Sequence, residues 1–270
     1  MSTNYIGVFG HRGSGKTSIG YLLANAVEYI VSPRSFRHPL SGHESTWDDI
    51  YKNAVKRCMD KTYQHSHLAY TYWTSFSEDI IFNISALTGI PAEDLYDDTL
   101  KDSIYINMRT MDEVSDPDPA KVVTREQLLE VRSRGAITPI EDDIYILMRD
   151  FILYYAHDVM QRFFGSNIWI TMHKHNNERY SCGWLSDSYR IYTDVKSECE
   201  YEYLKELGTS FVEVRRPEHK KEDTMLSTYN NFKPDYTIDV NGDLMSLKDT
   251  IYNIAKQIVE RNAEKTKSDC

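Results

Sequence analysis

Residues 4–17 read Asn-Tyr-Ile-Gly-Val-Phe-Gly-His-Arg-Gly-Ser-Gly-Lys-Thr, and this stretch decides the fold. Asn4 to Phe9 is an apolar run of strand length. Gly10 to Thr17 satisfies G-x-x-x-x-G-K-[ST] at every fixed position. Each residue type there answers a physical need of phosphate binding. Gly10, Gly13 and Gly15 let the backbone pass close to an anion, with the N–H groups of His11, Arg12 and Ser14 turned inward. Lys16 is a compact cation able to reach β- and γ-phosphates, and the Thr17 hydroxyl suits Mg²⁺. A helix from about Gly15 to Ile30 follows, its positive end aimed at the anion. A strand before the loop and a helix starting inside it make the context more restrictive than the pattern alone. The expected ligand is ATP with Mg²⁺; the competing reading is a glycine-rich turn with a solvated lysine. Arg12 either touches a phosphate or faces water.

Outward from the loop, Ile19, Leu22, Leu23, Ala26, Val27 and Ile30 recur at helical spacing, and Val31-Ser32-Pro33 stops the helix. Trp47 to about Lys61 predicts a second amphipathic helix, with Trp47, Ile50, Tyr51, Ala54, Val55, Cys58 and Met59 on one face. Ser77 to Leu87 predicts a third, ended by Gly89-Ile90-Pro91. Met111 to Ala120 is acidic and proline-containing, an exposed loop by composition. Lys121 to Asp143 lacks a period and reads as a mobile insertion. Ile144 to Phe164 keeps the helical period for five turns and predicts a central core helix. Strands are expected at Tyr189 to Thr193, Ser210 to Val214 and Tyr236 to Val240. Helices are expected at Lys196 to Leu207, capped by Gly208, and after Asn241-Gly242, where Ile251, Ile254, Ala255, Ile258 and Val259 share a face. Ala263 to Cys270 reads as a frayed tail. Strands alternating with helices imply a parallel sheet covered on both faces.

The chain has 270 residues, 41% hydrophobic and 27% charged, the composition of a globular protein. A net charge of −10 disfavours long nucleic acid and anionic membranes, and favours a small phosphorylated ligand held by a local cationic cluster. No apolar run reaches membrane-spanning length. Cys58, Cys182, Cys199 and Cys270 lie far apart, without CxxC or a secretory leader, which reads as free thiols in a reducing cytoplasm. The pairs His65/His67 and His173/His175 lack Cys or acidic partners at ligand spacing and read as solvated imidazoles before metal ligands. Twenty tyrosines read as packing on helix faces.

Beyond the loop the chain resembles the bacteriophage deoxynucleoside monophosphate kinases, P-loop enzymes that transfer the ATP γ-phosphate to a dNMP. Phe76 to Lys101 is similar to that family's acceptor segment. Arg149 to Trp169 is similar to its R-x-x-x-Q-x-x-G … R … W helix, with Arg149, Arg162 and Trp169 in matching places. Thr193-Asp194-Val195-Lys196, Glu200, Gly208 and Val214-Arg215-Arg216-Pro217 follow its P-D-x-R-x-x-x-E … G … V-x-R-P segment. This last stretch is the most specific, since its spacings hold over more than twenty residues. Departures are Lys196 for Arg, Ile81 for Lys, Thr17 where the family often has Asp, and no H-x-[ST]-E near Thr224 to Tyr229.

The resemblance implies a doubly wound α/β kinase, one domain over 1–270 with an inserted helical acceptor region at about 40–143. It implies Mg-ATP and a dNMP as ligands, a homodimer, and the host cytoplasm for a phage-encoded member. Asp194, ending a strand, is expected to orient metal-bound water or a cation, against a helix N-cap as the alternative. Lys196 is expected to approach the transferred phosphoryl group. Arg149 and Arg162, with Lys101 and Arg109 as weaker candidates, would clamp the acceptor phosphate, against structural ion pairing. Arg216 would border the adenine, and Glu200 would orient a cation. Phe76 and Trp169 either line the base pocket or fill the core. A kinase for another small phosphorylated acceptor and an inactive ATP-binding regulatory module stay open.

Overall fold

Asn4–Gly10 forms β1, and its side chains from Ile6 to Phe9 are buried whichever way they point, as a central strand of a two-sided parallel sheet requires. The computed structural model describes residues 3–11, 13–36, 45–60, 68–133, 143–180, 188–216 and 231–268. The further strands are β2 (Thr71–Thr74), β3 (Tyr105–Asn107), β4 (Glu113–Val114), β5 (Val122–Val123), β6 (Tyr145–Leu147), β7 (Tyr189–Tyr192), β8 (Ser210–Arg215) and β9 (Tyr236–Asp239). Helices α1 to α5 span Lys16–Val31, Trp47–Met59, Ser77–Thr88, Asp98–Lys101 and Arg125–Ser133. Helices α6 to α10 span Met148–Leu153, Arg162–Phe164, Ile168–Tyr180, Glu198–Glu206 and Lys248–Ser268. The chain divides into two units, Met1–Phe76 with Glu178–Cys270, and Ser77–Asn177.

The first unit is α/β. Its sheet has the order β2-β7-β1-β8-β9, with every pairing parallel. On one face Ile6, Val8, Val212 and Val214 pack with Ile19, Leu22, Leu23, Ala26 and Val27 of α1 and with Ile251, Ile254, Ala255 and Ile258 of α10. On the other face the Tyr201 ring of α9 stacks on Phe232 at 4.3 Å and lies 4.4 Å from Phe211. A Cβ on Gly7 would come within 2.9 Å of the Phe211 ring, so the absent side chain lets this layer close on β1. Helices therefore cover both faces.

Helix α2 starts at a capping box, in which Thr46 and Asp49 exchange hydrogen bonds, and buries Ile50, Tyr51, Ala54, Val55 and Cys58. Met59, expected on that face, is instead 73% exposed, because the helix ends there and its last side chain projects past the packed layer. Burial pushes the Cys58 thiol up to about 11, and the neighbouring Tyr51 phenol, which donates to Leu244 O at 2.5 Å, is pushed up by the same cause. A thiol whose folded pKa exceeds its unfolded value favours folding fully below the unfolded pKa. That contribution declines as pH rises through about 9 towards about 11. Native Cys58 is therefore expected to react with a disulfide reagent at pH 8 far more slowly than in urea-unfolded protein; equal rates would refute its placement. Cys58 and Cys199 are free thiols, while Cys182 and Cys270 lie outside the described residues.

The second unit builds its core from Ile81, Ile84, Leu95, Ile104, Ile106, Leu128, Ile146, Met148, Phe151 and Tyr154. A four-stranded mixed sheet, β4-β3-β6-β5, supplies part of it. The sequence places the inserted region at about 40–143, whereas this unit runs from Ser77 to Asn177: α2 packs on α1 in the first unit, and the long helix joins the second. Within Lys121 to Asp143, read from its missing period as a mobile insertion, Val122–Val123 pairs with β6 and Arg125–Ser133 is helical; 134–142 lie outside the described residues. Arg125 binds Asp158 through two guanidinium nitrogens, at 2.6 and 3.1 Å.

The five-turn helix expected from Ile144 is corrected in two ways. Tyr145–Leu147 is a strand between β3 and β5, and the helix begins only at Met148. Tyr154–Gln161 is then wound as π-helix, each turn taking up about one residue more than an α-turn. The apolar stripe slips out of phase, leaving Phe163 70% and Phe164 65% exposed. His173 is no solvated imidazole: it is buried, with Nδ1 3.1 Å from Asp79 Oδ2, while His175 is exposed and His65 and His67 lie outside the described residues. The expected frayed tail is helical through Ser268. Among the described residues no helix is long and apolar enough to cross a membrane.

Candidate functional site

Parallel strands all deliver their carboxyl ends to one edge of the sheet, and ligands of open α/β sheets sit there, where neighbouring strands lead off in opposite directions. Here β1 leads outward to β2, while its neighbour β7 leads back across β1 to β8. The two strands that part are followed by the glycine loop and by Thr193-Asp194.

The loop turns on three glycines with positive φ: Gly10 at 150°, Gly13 at 78° and Gly15 at 93°. Ser14 N donates to His11 O at 3.1 Å and closes the turn. Gly15 is the N-cap of α1 and has no side chain to bind the first-turn amides; that turn also carries no acidic residue. The helix thus presents its positive end to the loop. Lys16 folds back over this end, its Nζ donating to His11 O at 2.9 Å with the side chain only 10% exposed.

Asp194 lies on the other side. Its Oδ1 is 3.6 Å from Lys16 Nζ and its Oδ2 is 2.5 Å from Lys196 Nζ. Val195 N donates to Val8 O at 3.0 Å, fixing the stretch after β7 onto β1. Both lysines face this one carboxylate beside the helix end. Asp194 Oδ1 and Ser14 Oγ are buried without a hydrogen-bond partner among the described residues, a pattern that marks a place for an additional polar group.

Asp194 is not the N-cap of α9; Ser197 is, in a capping box with Glu200. Glu200 accepts from the backbone amides of Lys196 at 2.7 Å and Ser197 at 3.0 Å, so it orients the turn that carries Lys196. Burial pushes its carboxyl up, and those two amides and the Lys196 charge oppose the shift.

The structure thus brings together Gly10, His11, Gly13, Ser14, Gly15, Lys16, Thr17, Asp194, Lys196 and Glu200 of the sequence candidates. Arg12 lies outside the described residues, as do Pro217 and 224–229. Arg216 is exposed just past β8. Phe76 is core of the first unit, stacked on Tyr192 at 5.0 Å. Lys101, Arg109, Arg149, Arg162 and Trp169 belong to the second unit. There Arg149 grips Asp102 through Nε and, at 2.9 Å, a terminal nitrogen. Trp169 is buried, its indole N–H donating to Ala156 O at 3.3 Å. Arg109 and Arg162 are exposed, and Lys101 is half-buried. Ile81, the departure from the family pattern, fills the core of that unit. Sequence reasoning quoted Thr193 and Val195 but gave them no role; they hold Asp194 in place by backbone bonds that leave no residue-type signal. Neither the protein-family models nor the curated proteins include a match to this chain.

Proposed function

We propose that the chain is an ATP-dependent phosphotransferase whose acceptor is a deoxynucleoside monophosphate. One observation carries the nucleotide half of this reading. The glycine loop, the start of α1 and Lys16 share the carboxyl edge of adjacent central strands with Asp194 and Lys196. Inward-turned amides and a helix end suit a triphosphate tail. Lys16 suits the β- and γ-phosphates, exchanging the Asp194 carboxylate for a phosphate oxygen. Magnesium travelling with ATP keeps several waters and takes one or two protein oxygens; the Thr17 hydroxyl and Asp194 Oδ1, which accepts no hydrogen bond among the described residues, have the right chemistry. Transfer then needs the acceptor oxygen in line with the γ-phosphorus and cations around the migrating group, a task Lys196 suits by charge and position. The dNMP as acceptor rests on the sequence resemblance.

A second reading, an ATP-binding module without transfer, is favoured by Arg149: this candidate acceptor clamp is occupied by Asp102. One assay separates the two. The protein is incubated with Mg-ATP and each of dAMP, dGMP, dCMP and dTMP, and products are resolved by chromatography. The expected result is a dNDP and ADP, both lost in Lys16→Ala, together with at least ~100-fold weaker ATP binding, about 3 kcal/mol. ATP binding without transfer to any acceptor would select the second reading, transfer only to a non-nucleotide would replace the acceptor, and no ATP binding at all would end both.

A further inference from the structure

Helix α1 meets the end of β7 at Gly20, one helical turn after Lys16 and on the same face. Glycine inside a helix is unfavourable by roughly 1 kcal/mol relative to alanine, so such a position calls for a reason. A Cβ built on Gly20 would lie 2.5 Å from Thr193 Cγ2, 3.1 Å from Thr193 Cβ and 3.5 Å from its Cα. Thr193 has little freedom to yield. It is buried and β-branched, its hydroxyl donates to Thr74 O at 3.3 Å, and its backbone N–H donates to the same oxygen at 2.9 Å. Asp194 is the next residue, and Val195 is bonded to β1 beyond it. The approach of α1 to β7 therefore ends where the Thr193 methyl fills the space that Gly20 leaves. Across this approach Lys16 Nζ and Asp194 Oδ1 lie 3.6 Å apart.

We propose that Gly20 and Thr193 are a matched pair of positioning residues that set the spacing of Lys16 and Asp194. Adding one methyl to the helix pushes Lys16 away from the carboxylate and from the anion the loop would bind, and removing the Thr193 methyl takes away the 2.5 Å clash, leaving a 3.1 Å approach to Thr193 Cβ that a shift of a few tenths of an ångström relieves. The effect on nucleotide affinity rests on the proposed function; the effect on the Lys16–Asp194 pair does not.

The experiment compares the full-length wild type, Gly20→Ala, and Gly20→Ala combined with Thr193→Ser, which keeps the hydroxyl and loses only the methyl. Two quantities are read: the acylation rate of Lys16 by an amine-reactive ester without nucleotide, followed by peptide mass spectrometry, and the Kd for Mg-ATP by calorimetry. Gly20→Ala is expected to speed Lys16 acylation about fivefold and to weaken ATP about tenfold, 1.4 kcal/mol. The double variant is expected to return both to within about twofold of wild type. Wild-type Lys16 reactivity in Gly20→Ala would overturn the proposal, and so would a double variant as impaired as the single one. Should Gly20→Ala fail to fold, folding of the double variant supports the pairing and its failure refutes it. If wild type binds no ATP, the proposed function falls, while the acylation rates still decide this inference.

Discussion

Gly10→Ala is expected to lower the unfolding free energy by about 3–5 kcal/mol. Two independent effects add at this residue. Its φ of 150° lies where L side chains are strained. The added Cβ would also stand 2.2 Å from Val214 O and 3.0 Å from Ser14 Oγ. Val214 O belongs to the backbone of β8, the register partner of Gly10, so no rotamer change relieves the clash and the two central strands must separate. For a chain of this size the loss corresponds to a Tm lower by about 6–20 °C. Gly13→Ala is the control: its φ of 78° is also positive, yet nothing lies within 4 Å of the new methyl. Only the backbone cost remains there, about 1–2 kcal/mol. Urea denaturation followed by circular dichroism measures both. Equal losses for the two variants would mean that strand contact at Gly10 contributes nothing.

Glu28→Leu is the second large effect, a loss of about 2–4 kcal/mol. Glu28 is fully buried near the end of α1, and its two carboxylate oxygens accept from Ala69 N at 3.1 Å and Tyr70 N at 2.9 Å. Tyr70 O in turn accepts from Tyr189 N at 2.8 Å, so this carboxylate fixes the entry to β2 where β2 joins β7. Leucine has similar bulk but leaves both amides without their acceptor. Glu28→Gln keeps one acceptor oxygen and turns an N–H₂ towards the other amide, so its loss should be intermediate. Hydrogen exchange at Tyr189 should quicken with the loss of stability. A leucine variant within 0.5 kcal/mol of wild type would refute this account of Glu28.

The parallel sheet of the first unit was legible because its signals are local. Tyr5 to Phe9 carries no charged residue and is apolar from Ile6 on, and α1 and α10 carry stripes at helical spacing. The glycines of the loop stand where a positive φ is needed. Strand β2 was not legible: Thr71 and Thr74 are its buried residues, and neither is apolar. The second unit was read poorly because tertiary pairing decides it. Tyr145–Leu147 extends a helical period in sequence but is claimed by strands on both sides, and a π-wound segment carries no period that reads as a break. Of the candidate site, the loop was readable from its own spacing, and Asp194 with Lys196 only through the family resemblance. The capping role of Glu200 and the Arg149–Asp102 pair depend on which side chains meet in space. Gly20 did leave a trace, a glycine inside a strong helix, whose meaning appears only opposite Thr193.

The order of strands also bears on how the polypeptide emerges from the ribosome. β1 is made first, yet both its sheet neighbours, β7 and β8, come from the last third of the chain. At synthesis rates of about 5–20 residues per second, on the order of ten to forty seconds separate Gly10 from its partners. Through that interval the apolar face of α1 and both edges of β1 have no sheet to join, and before β7 is made the Ser77–Asn177 unit holds all of its own core residues. The nascent chain is thus expected to fold the Ser77–Asn177 unit before β1 and α1 find their sheet, and to depend on chaperone shielding of those two elements.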